Sequence, residues 1–236
     1  MMDNRPIGVF DSGVGGLTVV NALSKVLPNE SIYYVGDTAR VPYGNKSKSS
    51  ILKFSLQITK WLLKQNCKII VIACNTASSL ALSHLKSNLS TSIIGVIDPA
   101  IKHAQMKTKN KQIGVLGTRA TINSNIYSNR FKELDQKISV ISKACPLFVP
   151  LVEEGFISGS IPLSVAKHYL NDIKETDVDT LILGCTHYPL LATIISNVLG
   201  PSIKLIDSSL ATADKVKSML KNNNLLANKN LSEINC

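Results

Sequence analysis

Short apolar runs alternate with longer amphipathic stretches from one end of the chain to the other. Runs rich in Ile, Val and Leu, too short for helices and bounded by polar or Gly-containing turns, read as strands buried on both faces. They fall at Ile7–Phe10, Ser31–Val35, Lys68–Ala73, Ile93–Ile97, Gln112–Leu116, Ile138–Ile141, Thr180–Leu183 and Ile203–Ile206. Between them, helical spacing predicts helices over Gly16–Leu27, Ser47–Gln65, Thr76–Leu89, Pro99–Thr108, Ala120–Leu134, Leu163–Lys174, Pro189–Leu199 and Ser208–Lys221. In Ser47–Gln65 the residues Ile51, Phe54, Ile58, Trp61 and Leu62 make one apolar face, which places both aromatics in the core. Strand–helix alternation of this kind predicts an α/β fold with mostly parallel sheets.

The pattern also repeats. IGVFDSG at Ile7–Gly13 answers to IGVLGTR at Ile113–Arg119, and Val41-Pro42 answers to Val149-Pro150. KIIVIACNTASS at Lys68–Ser79 shares the grammar of DTLILGCTHYPLL at Asp179–Leu191: apolar run, small residue, cysteine, two polar residues, helix. The offset between partners changes little and drifts in one direction, as loop insertions produce. The expected architecture is therefore two pseudo-symmetric lobes, each a mostly parallel sheet flanked by helices. Residues 1–97 with 208–236 would form the first lobe and 98–207 the second, with a cleft between them.

Ligands of open α/β sheets bind outside the carboxyl ends of the strands. Cys74-Asn75-Thr76 and Cys185-Thr186-His187 sit at two such ends. A single cysteine there reads most simply as a small buried hydrophobe. Two at equivalent corners read as facing thiols, suited either to reversible disulfide chemistry or to proton transfer from opposite faces of a carbon. An imidazole at His187 can lower the Cys185 pKa or relay its proton. Asp11-Ser12-Gly13-Val14-Gly15-Gly16 follows the first strand, but Thr18 stands where a dinucleotide fingerprint needs its last glycine. The turn fits a small substrate better: Asp11 can bind an ammonium or orient a neighbouring acid, and Ser12 can hold a carboxylate. The loop Gly36–Gly44 is a second functional candidate, with Arg40 expected to brace it through Asp37. His84, His103 and His168 fall on presumed helices and read as surface residues. No residue set has zinc spacing, and there is no phosphate-binding Walker loop.

Composition narrows the picture. The 236 residues, 44% of them hydrophobic, suffice for one large domain or two small ones. No apolar run approaches membrane-spanning length, and MMDNRPIGVF lacks the features of a secretion signal. With five cysteines in no framework spacing, the expectation is free thiols in the cytoplasm. The net charge of +10 comes from 26 basic against 16 acidic residues. Its lysines are scattered and aromatics make up only 5%, which argues against nucleic-acid binding as the main function. The Asn/Lys-rich end, KNNNLLANKNLSEINC, is expected to fray.

The stretches FDSGVGGLTVV, GDTARVPYGNKS, ACNTASS, FVPLVEEG, LGCTHYPLL and LIDSS, in this order from Phe10 to Ser209, closely resemble the cofactor-independent glutamate racemases of the aspartate/glutamate racemase superfamily. The resemblance implies interconversion of L- and D-glutamate for peptidoglycan synthesis, without pyridoxal phosphate or metal, by a homodimeric enzyme. It implies that Cys74 works on the D-enantiomer and Cys185 on the L-enantiomer, with Asp11 and His187 as their respective helpers. The assisting carboxylate of VPLVEEG would be Glu153, with adjacent Glu154 as the alternative. Substrate contacts would come from Asp11, Ser12, Pro42, Tyr43, Gly44, Asn75, Thr76, Thr186 and His187, with Thr118 and Thr121 as weaker candidates. Family members generally continue beyond this length with another strand and a final helix, so an exposed sheet edge or apolar patch is expected on the first lobe. Three rivals remain: an aspartate racemase, a glutamate-binding protein without turnover, and a thiol redox protein.

Overall fold

The computed structural model describes residues 3–228 and 234–235. The chain runs β1 (Ile7–Asp11), α1 (Leu17–Val26), β2 (Ile32–Gly36), α2 (Lys48–Lys64), β3 (Ile69–Ile72), α3 (Asn75–Asn88), β4 (Ser92–Gly95) and α4 (Ile97–Lys107). It continues through β5 (Gln112–Gly117), α5 (Arg119–Asn123), α6 (Ile126–Leu134), β6 (Ser139–Ala144), α7 (Phe148–Glu153), α8 (Ser160–Lys174) and β7 (Thr180–Gly184). Then follow α9 (Ala192–Leu199), β8 (Lys204–Asp207), α10 (Ser208–Asn222) and β9 (Ile234–Asn235).

Two sheets form, ordered β4-β3-β1-β2-β9 and β6-β5-β7-β8. Every paired neighbour in both sheets is parallel. If β5 is matched to β1, β6 to β2, β7 to β3 and β8 to β4, the two strand orders coincide, as the sequence repeat requires. In each sheet the chain leaves the first strand on one side and returns on the other. Such a switch point opens a crevice at the strands' carboxyl ends. Asp11 and Cys74 lie at the first crevice, Thr118 and Cys185 at the second.

The inner strands β1, β3, β5 and β7 are buried because helices cover both faces, and this explains their unbroken apolar runs. Val9, Val71, Ala213, Val216 and Leu220 share one cluster, which brings α10 onto the first sheet. Ile97, Ala100, Ile101 and Ala104 pack with Ile113, Val115 and Ile182, which brings α4 onto the second.

Several expectations are corrected. The helix foreseen over Ala120–Leu134 breaks at Asn125, whose φ of 54° is left-handed. Asn tolerates that region, and Ser124 Oγ accepts from the Ile126 N–H across the break at 3.4 Å. The fourth strand ends at Gly95, and Ile97 already begins α4, with Pro99 in the first turn where its missing N–H costs nothing. Pro189 opens a 3₁₀ turn, Tyr188–Leu191, before α9. Helix α7 (Phe148–Glu153), which overlaps VPLVEEG, has no counterpart among the expected helices.

Trp61 is not a core residue: 46% of it is exposed, beside Tyr34, Gln57 and Ile58. Phe54 is half-buried under the Arg40 guanidinium, 4.2 Å from its ring centroid. The two aromatics lie two turns apart on the flank of the stripe whose centre is Ile51, Ile58 and Leu62.

The tail does not fray throughout. Lys68 Nζ, fully buried, pairs with Glu30 and donates to the carbonyls of Asp3 and Leu225 at 2.6 and 2.8 Å. The Ala227 N–H donates to Glu30 Oε1 at 2.9 Å. Ile234 and Asn235 then pair with Ile32 and Tyr33 and cover part of the β2 edge. Cys236 lies outside the described residues; Cys67, Cys74, Cys145 and Cys185 are free and buried.

Candidate active site

The first lobe supplies an acid and a thiol. Asp11, the last residue of β1, is fully buried. Its Oδ2 accepts the Gly13 N–H at 3.0 Å, and its Oδ1 accepts the Thr186 hydroxyl of the opposite lobe at 3.2 Å. Burial raises the Asp11 pKa above the usual carboxylate range, with the nearby His187 opposing the rise. Cys74 caps α3, and its sulfur accepts the Ala77 N–H at 3.5 Å. A helix N-terminus favours a thiolate there. Burial still dominates and, with the negative charge of Asp11, pushes the Cys74 thiol up to about 12.

The second lobe supplies the other thiol and an imidazole. Cys185 follows Gly184 at the end of β7 and is also buried. Burial drives its pKa upward, against the backbone N–H groups of His187 and Tyr188. The thiol is therefore raised, not lowered as the neighbouring His187 imidazole led one to expect. His187 Nδ1 stands 3.8 Å from Cys185 Sγ, and its Nε2 is 2.5 Å from Glu153 Oε1. The structure therefore picks Glu153, at the end of α7, as the carboxylate in contact with the imidazole; Glu154 follows it as the helix cap.

Both cysteines line one small cavity, with Ser12, Pro42, Tyr43, Gly44, Asn75, Thr76, Thr118, Val149, Thr186 and His187. Asp11, Thr121 and Glu153 stand behind this wall: each bonds a lining residue, Thr186, Thr76 and His187 respectively. Thr76 and Thr118 join the lobes through an Oγ1–Oγ1 hydrogen bond of 2.9 Å. The foreseen loop brace is present: Arg40 Nε lies 2.7 Å from an Asp37 oxygen, and the Tyr43 hydroxyl donates to Asp37 Oδ2 at 2.5 Å. Tyr43 is thereby held in the wall.

Two glycines permit the close approach of the lobes. A Cβ on Gly15 would lie 2.6 Å from His187 Nδ1, and one on Gly44 would lie 2.6 Å from Thr118 Cβ. Val149 was not foreseen as a wall residue, although the repeat that matched Val149-Pro150 to Val41-Pro42 pointed there. Tyr127, whose hydroxyl bonds Asn75, left no local signal at all. His84 and His168 are exposed and His103 is half-buried, all away from the cavity. A larger groove between α4 and α10, lined by Lys86, Lys102, His103, Asp214 and Lys215, contains none of the strand-end groups. Among the described residues, no three His, Cys, Asp or Glu side chains cluster as a metal cradle, and no helix is long and apolar enough to cross a membrane.

The sequence pattern of the Asp/Glu/Hydantoin racemases matches residues 16–216. The chain belongs to this racemase family. Among its racemase relatives, the glutamate racemase of Aquifex aeolicus is 51% identical over 216 residues, covering 92% of this chain and 84% of that protein. The glutamate racemase of Geobacter metallireducens is 46% identical over 222 residues, 94% of this chain and 82% of the relative. A crystal structure of a glutamate racemase isoform from Bacillus anthracis superposes with a TM-score of 0.96 at 40% identity, covering 98% of this chain and 87% of that one. The Francisella tularensis glutamate racemase, solved in complex with D-glutamate, gives 0.92 at 44% identity, with the same coverage. An aspartate racemase from Picrophilus torridus shares the racemase fold, with a TM-score of 0.65 at 19% identity.

Proposed function

We propose that this protein is a glutamate racemase that interconverts L- and D-glutamate by proton transfer between Cys74 and Cys185, supplying D-glutamate for peptidoglycan. The observation that carries the reading is the pairing of two thiols, from equivalent strand ends of two lobes, in the wall of one small cavity. The thiolate of one cysteine removes the α-proton, and the thiol of the other delivers a proton to the opposite face. The first cysteine ends protonated and the second ionised, so the reaction balances without a cofactor. Cys74 acts on D-glutamate with Asp11 as helper, and Cys185 acts on L-glutamate with His187 and Glu153. A substrate ammonium beside a thiol favours its ionised form and so opposes the rise that burial causes. Ser12, Asn75, Thr76, Thr118 and Thr186 supply donors for the two carboxylates.

The proposal includes a homodimer in the cytoplasm, with lobes of residues 1–97 plus 208–236 and 98–207. Glutamate is preferred to aspartate because the relatives at 40% identity or more are glutamate racemases, whereas the aspartate racemase shares only the fold. The test is incubation with L-glutamate in D₂O without added cofactor. Deuterium at the α-carbon with decaying circular dichroism supports the reading. Exchange with aspartate alone would change the substrate. A folded protein silent with both would favour a binding function, and an oxidant-driven loss of two titratable thiols would favour redox chemistry.

A further inference from the structure

Asn75 leaves a polar group unanswered in the cavity wall. It is 2% exposed, and its Nδ2 is a buried donor with no partner. Folded proteins rarely leave such a donor unpaired, because it forfeits its hydration without compensation. The other end of the same amide is accounted for. Tyr127, on α6 of the opposite lobe, donates its hydroxyl to Asn75 Oδ1 at 2.8 Å. The Tyr127 ring is itself 2% exposed, within the cluster of Phe131, Ile138 and Ile182, so the hydroxyl is delivered from a fixed position. It also lies 3.5 Å from where a Cβ on Gly184 would stand, immediately before Cys185.

We infer that Tyr127 is a positioning residue: it fixes the Asn75 carboxamide with its NH₂ toward the cavity, ready to donate to a carboxylate of the bound amino acid. This rests on the racemase reading above. A primary amide can sit in either of two orientations. Turned over, it would present a carbonyl oxygen to an anionic ligand, and the Tyr127 hydroxyl would lose its acceptor. Among the described residues Tyr127 has no other hydrogen-bond acceptor, so its proton selects one orientation. Burial and the nearby Cys185 thiol raise the phenol pKa far above its usual value, so the hydroxyl stays a donor throughout the working pH range. A link serving only to hold the lobes together would have no need to leave the NH₂ open. Donor and acceptor belong to different lobes, so the orientation is set where the two lobes meet.

The test is a double-mutant cycle with Tyr127→Phe, which keeps the ring, and Asn75→Ala, read as KM and kcat in both directions. Loss of one orienting hydrogen bond predicts a KM raised about 5- to 30-fold for both enantiomers, with kcat changed less than about threefold. In the Asn75→Ala background, Tyr127→Phe should add nothing further. Unchanged KM in Tyr127→Phe, or full additivity of the two losses, would overturn the inference while leaving an active wild type. An inactive wild type would overturn the racemase reading and this one with it. A measurement on the wild type guards against a variant that fails to fold. The side-chain NH₂ resonance of ¹⁵N-labelled Asn75, assigned by its loss in Asn75→Ala, should shift when D-glutamate is added, and an unmoved resonance would overturn the inference.

Discussion

His187 and Glu153 meet through Nε2 and Oε1 at 2.5 Å, leaving the other ring nitrogen 3.8 Å from the Cys185 sulfur. One residue from α7 thus holds the ring that stands beside a thiol at the end of β7. A carboxylate hydrogen-bonded to one imidazole nitrogen fixes the ring's orientation. Glu153→Gln should lower kcat about tenfold with KM little changed, more strongly in the direction that begins on L-glutamate. Glu154→Gln should match the wild type. Initial rates from each enantiomer decide it, and equal effects of the two substitutions would remove the assignment.

The two thiols make a stricter demand. Cys74→Ala and Cys185→Ala should each reduce racemisation by at least about a thousandfold while the protein stays folded. Cys185→Ser should impair both directions unequally, because the proposed scheme gives the two thiols distinct roles on opposite faces of the substrate. Optical rotation and far-UV circular dichroism measure turnover and fold separately. One single variant with undiminished turnover is enough to discard the two-base scheme.

The pH profile follows from the sign of the thiol shifts. Burial raises both thiols, Cys74 to about 12, so each is protonated in the free enzyme at neutral pH. In the proposed two-base reaction the active base is the thiolate, whose small fraction grows as pH rises. Accordingly kcat/KM should climb between about pH 6 and 9, by up to about tenfold per unit. A profile flat over that range would mean that the thiols ionise far more readily than their burial indicates.

Asp11 ties function to stability in the opposite sense. Its folded pKa lies above the value of 3.8 expected for an unburied carboxyl. The folded state therefore holds this proton more tightly than the unfolded chain, so the raised pKa costs stability at neutral pH. That penalty disappears as pH falls below the unfolded value. Asp11→Asn should melt above the wild type near neutrality, the gap closing toward about pH 4, while turnover of D-glutamate falls. The geometry allows the substitution: an amide oxygen can still accept from Gly13, and its NH₂ can donate to the Thr186 hydroxyl. Thermal melts across pH, paired with rates from D-glutamate, check both halves.

Asp37 holds the loop that carries Tyr43 into the wall, through Arg40 and the Tyr43 hydroxyl. Asp37→Ala removes both partners at once and leaves a buried phenol without its acceptor. It should raise KM about tenfold and cost about 1–3 kcal/mol of stability, measured by denaturant unfolding. Full retention of KM would separate this loop from substrate binding.

Much of the molecule was present in the sequence because its signals are local. A run such as Ile69–Ile72 can be satisfied only as a covered strand, and the small residue, cysteine and polar pair after it mark a strand end wherever the chain places them. The duplication was legible for the same reason, since Cys74 and Cys185 sit in similar stretches of chain. Tertiary structure alone decided what depends on approach between distant segments. It brought Tyr127 to Asn75 and Glu153, rather than Glu154, to His187; it also left Trp61 at the edge of its helix stripe, partly in solvent. It set the direction of the thiol pKa values as well, because desolvation is a property of the assembled cavity and not of the residues next to a cysteine in the chain.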